Sequence, residues 1–291
     1  MLEEFTVVFE ARDRQLVSDR ALVLHSLGIP YQIVTGEYLS ALMVPIGAME
    51  RAKFELWQYE QENRPRRKLL PMPIPRYQDG IAGVAVYLVV LCLVAWLAGE
   101  SAFSANWFAA GRIDGELLRQ GEWWRAATAL TLHSGLRHLI GNLAFGALFG
   151  YFAGRLLGSG VAWFAILTAA IAANVLNTLL LESAHRSVGA STAVFAALGI
   201  LAGYVWRARF MIQDRWPYRI GPIVGGIALL AYTGTGDEST DIGAHLVGFV
   251  CGFAAGIILT RLQKYLPSAP LQWFCGAATI GLLTLAWVTA L

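Results

Sequence analysis

From residue 80 onward the chain alternates long apolar runs with short polar loops. Seven stretches lack Asp, Glu, Lys and Arg altogether: 80–99, 138–154, 158–181, 188–206, 220–236, 242–260 and 268–290. Most reach the length of about 20 residues that a membrane-crossing helix needs, so the pattern predicts seven spans. The second and fifth are shorter, which predicts helices that stop inside the bilayer or sit in a thinned one. Before residue 64 the period changes. Phe5–Phe9, Tyr31–Val34 and Ala41–Val44 read as strands, with turn chemistry at Thr35-Gly36. Arg12–Ser26 carries Leu16, Leu22, Val23 and Leu24 at helical spacing, and Ala48–Asn63 carries Phe54, Leu56, Trp57 and Tyr59. The order β-α-β-β-α predicts a small α/β domain over residues 1–63. The basic, proline-rich run Arg64–Arg76 suits neither a helix nor a central strand, so 64–79 reads as a linker.

Charge sharpens this division. Of the 42 Asp, Glu, Lys and Arg residues, 19 fall in the first 70 positions, and 56% of the whole chain is hydrophobic. A polar cytosolic domain ahead of a polytopic helical membrane domain accounts for both figures. The net charge of +2 comes from basic residues clustered beside the spans, with no stripe to bind nucleic acid. Met1-Leu2-Glu3-Glu4 has no basic lead into an apolar core, so no cleavable signal peptide is expected. Cys92, Cys251 and Cys275 all lie in apolar runs and read as buried hydrophobes, not as disulfide partners. Arg64, Arg66, Arg67 and Lys68 precede the first span. Arg207, Arg209, Arg215 and Arg219 separate the fourth and fifth, and Arg261 and Lys264 follow the sixth. Excess Lys and Arg marks the cytoplasmic side, so the N-terminus is expected inside and the C-terminus outside. Residues 100–137 carry Arg112, Arg119, Arg125 and Arg137 on the opposite side, together with Trp107, Trp123 and Trp124, which suits a loop lying in the membrane interface.

Polar groups inside the apolar runs are costly and mark a site. Ser191 and His245 stand near the starts of the fourth and sixth runs, and His138 and Asn142 open the second. With the N-terminus inside, all three runs begin at the outer face, so topology alone brings these groups to one depth. Small residues lie beneath each at helical spacing. Gly146, Gly150 and Gly154 follow Asn142, Gly199 and Gly203 follow Ser191, and Gly248, Gly252 and Gly256 follow His245. Repeated glycines let helix backbones approach closely. A serine hydroxyl needs a base to become a nucleophile, and neutral imidazole serves near pH 7, so Ser191 and His245 suit a dyad. The Asn142 amide, a His138 N–H and the Ser191 backbone N–H are candidate oxyanion donors. Asp241 reads as a loop residue, not as a third triad member, and His185, beside Arg186, as solvated. His133, His138 and His245 could be weighed as zinc ligands, but no His-Glu-x-x-His helix or nearby cysteine supports a metal site. Neither metal nor cofactor is therefore expected.

The stretches Gly189-Ala190-Ser191-Thr192, His138-Leu-Ile-Gly-Asn142, Gly121-Glu122-Trp123-Trp124-Arg125 and Ala244-His245-Leu-Val-Gly248-Phe-Val-Cys-Gly252 resemble the rhomboid intramembrane serine proteases. The resemblance covers roughly residues 80–262. It implies a six-helix protease core there, with 268–290 as an added seventh helix, and a bacterial-type member carrying an N-terminal cytosolic domain. It implies Ser191 as nucleophile and His245 as general base, with His138, Asn142 and Gly189 supporting the oxyanion. His133 matches the histidine that opens the second span, Phe195 the aromatic against the catalytic histidine, and Trp124-Arg125 the half-submerged loop. The implied substrates are transmembrane proteins cut near the outer face of a bacterial inner membrane. Thr192 departs from the glycine that many members have after the serine, and a β-branched residue there is expected to narrow the oxyanion region. The alternative, motivated by Thr192 and the separate cytosolic module, is a catalytically silent relative that binds transmembrane clients; in either case a cytosolic partner of the N-terminal domain is not identified by the sequence. A transporter is disfavoured because no pair of Gly/Pro-broken inverted-repeat spans or buried acid for ion coupling stands out.

Overall fold

The computed structural model describes residues 4–36, 38–63, 80–180, 185–210, 220–221, 223–228 and 241–291. The linker at 64–79, Arg215, Arg219, Asp237, Glu238 and most of the expected fifth span lie outside the described residues. Internal contacts divide the chain into two compact units, Met1–Lys68 and Leu69–Leu291.

In the first unit β1 (Phe5–Ala11), α1 (Arg14–Ser26), β2 (Gln32–Thr35), β3 (Ser40–Pro45) and α2 (Met49–Glu62) follow the expected order. The sheet is antiparallel with order β1-β3-β2, and its register pairs Phe5 with Pro45 and Gln32 with Met43. Alternate residues of β3 point inward, so Leu42 and Val44 meet Val17, Ala21 and Leu24 of α1 and Leu56 of α2 in one core. Asp13 caps α1 by accepting from the Gln15 N–H at 2.9 Å. Arg20 ties the helices together through a 2.8 Å ion pair with Glu60.

The second unit is helical. Among the described residues, six helices are long and apolar enough to cross a membrane: α3 (Ile81–Gly99), α7 (Leu136–Leu157), α8 (Ser159–Leu180), α9 (Ser191–Phe210), α11 (Ile242–Arg261) and α12 (Ala269–Ala290). Between α9 and α11, the described residues 220–221 and 223–228 are helical and are labelled α10. Two expectations need correcting. α7 is not short, because its 22 residues run through Arg137 and Arg155, charges that had bounded the apolar run. The fourth span begins at Ser191 and not at 188, because Gly189 has φ +138° and turns the chain.

The glycine stripes set the tightest contact in this unit. On α9, a side chain added at Gly199 or Gly203 would strike the backbone of Phe249 or Phe253 on α11. On α11, Gly248, Gly252 and Gly256 face the backbones of Thr192, Ala196 and Ile200. The α9–α11 crossing is therefore backbone on backbone, as the spacing predicts. The stripe on α7 behaves differently. Gly146 receives the Tyr87 ring of α3 and Gly150 the Trp163 ring of α8, while Gly154 lies against Gly80 at the start of α3. These glycines are sockets for aromatic rings more than a helix seam.

The segment between α3 and α7 is folded on its own terms. It holds the short helices α4 (Trp107–Gly111), α5 (Gly115–Arg119) and α6 (Arg125–Thr128), and a strand β4 (Ile113–Asp114) paired with β5 (Arg186–Ser187). Arg125, 5% exposed, is its anchor: it pairs with Glu122 at 2.6 Å and donates to the carbonyls of Ala109 and Arg112. Gly121, at φ +106°, makes the turn that brings Glu122 into place, which accounts for the Gly-Glu-Trp-Trp-Arg spacing. α12 buttresses the segment from the side. Its Trp287 ring lies 4.5 Å from that of Trp107 and donates to the Thr131 hydroxyl at 3.1 Å.

Candidate active site

Residues 185–191 carry the chain from β5 into α9, and their geometry places Ser191. The Gly189 N–H donates to the Ala129 carbonyl at 2.9 Å, which ties this turn to the segment before α7. Gly189 adopts a left-handed backbone that side-chain-bearing residues avoid. Space imposes the same choice: a Cβ there would sit 2.6 Å from His138 Cε1, 2.7 Å from its Nε2 and 3.6 Å from Ser191 Oγ. The His138 imidazole and the Ser191 hydroxyl thus flank one point. Ser191 is the first residue of α9 and partly exposed, while Ala190 before it is buried. Backbone N–H groups in a first helical turn have no partner inside the helix.

His245 lies in the first turns of α11 and is 6% exposed. Its ring packs on Phe195, one turn below Ser191, with centroids 4.4 Å apart at 38°. Three residues further along α11, Gly248 faces Thr192, whose methyl lies 3.2 Å from where a Gly248 Cβ would be. The Thr192 side chain is therefore packed into the α9–α11 seam and buried. The expectation that it narrows the oxyanion region is corrected by this orientation.

The start of α11 is fixed by a polar clasp that the sequence reading missed. Asp241 caps the helix by accepting from the Ala244 N–H at 2.9 Å. The Asn177 amide of α8 donates to the same carboxylate at 3.1 Å, and His185 Nε2 lies 2.8 Å from it. His185 is thus engaged and mostly buried, contrary to its reading as solvated. A signal for the cap was present, since an Asp directly before an apolar run marks a helix start.

Asn142 is one turn along α7 from His138 and is 7% exposed. Its backbone carbonyl accepts from the Tyr87 hydroxyl at 2.7 Å. Its side-chain nitrogen is buried with no acceptor among the described residues, and an unpaired buried donor costs free energy unless something occupies it. His133, also buried, sets its ring edge-on to His138 at 5.2 Å and accepts from the Ala190 N–H at 3.4 Å. Burial first, and then the neighbouring His138 charge, push the His133 pKa down to about 4 against a smaller upward pull from the Thr131 backbone. His133 is therefore a neutral acceptor near pH 7. Ser134 Oγ lies 3.2 Å from His138 Nδ1.

Of the residues singled out from the sequence, Gly189, Ser191 and His138 meet directly, and His245 joins them through Phe195 and the glycine seam. Asn142 stands on the same end of α7. Among the described residues, no three His, Cys, Asp or Glu side chains are grouped to hold a metal ion.

Residues 120–262 match the Rhomboid domain. Rhomboid-like protease 2 of Toxoplasma gondii is 30% identical over 156 residues, which cover 53% of this chain and 53% of that protein. Rhomboid protease GluP of Bacillus subtilis (strain 168) is 31% identical over 161 residues, or 55% of this chain and 31% of GluP. Putative rhomboid protease YdcA of the same organism is 27% identical over 144 residues, 50% of this chain and 71% of YdcA. The match spans about half the length of the Toxoplasma relative. The six membrane-length helices and this domain together make the chain an integral membrane protein. Over residues 120–262 the chain carries a Rhomboid domain and resembles these rhomboid proteases.

Proposed function

We propose that this protein is an intramembrane serine endopeptidase that hydrolyses peptide bonds in transmembrane protein substrates. The observation that carries the reading is the meeting of Ser191, His138 and Gly189 at the head of the α9–α11 seam, with His245 packed on Phe195 one turn away.

Ser191 Oγ attacks the scissile carbonyl carbon while His245 accepts its proton, and the C=O electrons move onto oxygen. The oxyanion is met by the Ser191 backbone N–H, the Asn142 amide and His138 Nε2–H. A Ser134 hydroxyl donating into His138 Nδ1 leaves the ring proton on Nε2, the atom that faces Gly189. The vacant Asn142 donor fits this task, and loss of one such donor typically costs about 3–4 kcal/mol of transition-state stabilisation. His245 then protonates the departing amide nitrogen, the C–N bond breaks, and water cleaves the acyl-enzyme by the same route in reverse. The machinery is a dyad, because Asp241 is committed to capping α11 and to Asn177 and His185.

Residues 80–262 act as the protease core in this reading, with α12 as an added helix and residues 1–63 as a cytosolic module. The basic loops set the N-terminus inside and the active site toward the outer face of a bacterial inner membrane. Thr192, which together with the separate N-terminal module motivates the alternative of a silent client-binding relative, packs against Gly248 in the α9–α11 seam.

Labelling of detergent-solubilised protein by a fluorescent fluorophosphonate tests the dyad. Labelling of the wild type, with loss in Ser191→Ala and His245→Ala, is expected. Equal labelling of Ser191→Ala and wild type would exclude Ser191 as the nucleophile. Cleavage of a model transmembrane substrate by the same three proteins tests the substrate class.

A further inference from the structure

Helix α8 supplies no group to the reaction above, yet its last two turns carry polar side chains inside an apolar span. Asn174, Asn177 and Thr178 are all buried there. Such groups are costly at depth and persist where they are engaged. The Thr178 hydroxyl is satisfied within the helix, donating to the Asn174 carbonyl at 2.8 Å. The two asparagine amides instead leave the helix, and each reaches one half of the candidate site.

On the serine side, the Asn174 amide donates to the Ala126 carbonyl at 2.9 Å. Ala126 leads into Ala129, whose carbonyl holds the Gly189 N–H and so the turn into Ser191. On the histidine side, the Asn177 amide donates to the Asp241 carboxylate at 3.1 Å. Asp241 in turn holds the first turn of α11. Its carboxylate accepts from the Ala244 N–H, and its backbone carbonyl accepts from the His245 N–H at 3.2 Å. Gly243 leaves room for this contact, since a Cβ there would sit 2.9 Å from Asn177 Oδ1.

The glycine seam gives these ties their purpose. Gly248, Gly252 and Gly256 face Thr192, Ala196 and Ile200, so the pattern repeats every fourth residue on both helices. Glycine against backbone sets how closely α9 and α11 approach. It sets their height weakly, because a slip of one turn places Gly248 against Ala196 and Gly252 against Ile200, much as before. A buried polar contact is a well-attested device for fixing register between helices whose apolar pattern repeats.

We propose that Asn177 is a positioning residue for His245. Through Asp241 it fixes the height of α11 in the bundle, and so the placement of the imidazole relative to Ser191, while Asn174 steadies the serine side from the same helix. A misplacement of about 1 Å at a reacting group can cost about 100-fold in rate. The effect on rate rests on the protease reading, but the register of α11 does not.

Two measurements on the full chain test this. The first is cleavage kinetics in reconstituted vesicles. Asn177→Leu removes the donor with a side chain of similar shape, and should lower kcat about tenfold with KM little changed. Exchanging the partners, Asn177→Asp together with Asp241→Asn, turns the hydrogen bond around. The amide at position 241 then donates to the carboxylate at position 177, and its oxygen still caps the Ala244 N–H. This exchange should return kcat close to the wild-type value, which a role in filling space would not. The second measurement needs no cleavage. Spin labels at the exposed positions Ile140 of α7 and Val250 of α11, with Cys92, Cys251 and Cys275 replaced by alanine, report the height of α11. Their distance distribution should shift or broaden in Asn177→Leu and recover in the exchange. Gly243→Ala crowds the same amide and serves if Asn177→Leu does not fold. Wild-type kcat in folded Asn177→Leu, a loss confined to KM, or an unchanged distance distribution would overturn the proposal. A wild type that cleaves nothing would count against the protease reading instead, and the distances would still decide whether Asn177 sets the register.

Discussion

The Phe195 ring lies 4.4 Å from the His245 imidazole, centroid to centroid, and one helical turn below Ser191. One aromatic side chain on the serine helix thereby fixes the orientation of a histidine on its neighbour. Phe195→Leu keeps the seam apolar but removes the flat surface on which the imidazole rests. It is expected to lower kcat about tenfold, equivalent to ~1.4 kcal/mol in the barrier, with KM little changed. Cleavage kinetics in reconstituted vesicles measure this directly.

The glycine seam carries a different expectation. A Cβ at Gly252 would meet the Ala196 Cα at 2.8 Å, whereas one at Gly141 meets nothing within 4 Å. Gly252→Leu must push α9 and α11 apart, so both melting temperature and activity should fall steeply. Gly141→Ala is expected to leave activity unchanged and to raise stability by about 0.5–1 kcal/mol through helix propensity. Thermal melting followed by circular dichroism separates the two.

Trp287 is expected to matter although it stands well outside residues 120–262. Its N–H reaches the Thr131 hydroxyl, in the segment whose Ala129 carbonyl holds Gly189. Trp287→Phe keeps the ring against Trp107 but leaves that hydroxyl without its donor, at a cost of about 1 kcal/mol. A double-mutant cycle with Thr131→Val, read by melting, should show that the two losses are not additive.

The clasp at Asp241 distinguishes cap from charge. Asp241→Asn keeps an oxygen for the Ala244 N–H and should lose little stability. Asp241→Ala removes the cap and should cost about 1 kcal/mol. If Asp241 were instead the acid of a triad, Asn would be as damaging to kcat as Ala.

His133 gives the protein a pH dependence of definite sign. Its pKa of about 4 in the fold lies below the ordinary value of 6.5. Between those values the unfolded chain takes up a proton that the native protein refuses. The contribution is complete above pH 6.5 and is lost as the pH falls toward 4. Melting temperature should therefore decline over this acidic window, and His133→Gln should flatten the decline.

Much of this molecule is written in one dimension. Charge-free runs specify membrane-length helices because a backbone in lipid must satisfy its own hydrogen bonds. The change of period before residue 64 specifies a strand-helix module. A polar residue at the head of each of three runs points to Ser191, His245 and His138, because such groups persist at depth only for a reason. The Gly-xxx-Gly spacing on α9 and α11 likewise announces a close crossing. What the sequence alone could not determine is which surfaces meet. The α7 glycines have the same spacing as the seam, yet they accept the Tyr87 and Trp163 rings, because the partner of a stripe is set by the neighbouring helix and not by the stripe itself. Arg137 and Arg155 lie inside α7, since a helix continues for as long as its backbone bonds close, whatever charge lies along it. Thr192, one residue from Ser191, faces Gly248, a direction fixed by helical phase against a particular neighbour. His133 and Ala190 are 57 positions apart, and Asn177 and Asp241 are 64 apart. Contacts at such separations leave no periodic trace, so only the packed bundle decides them.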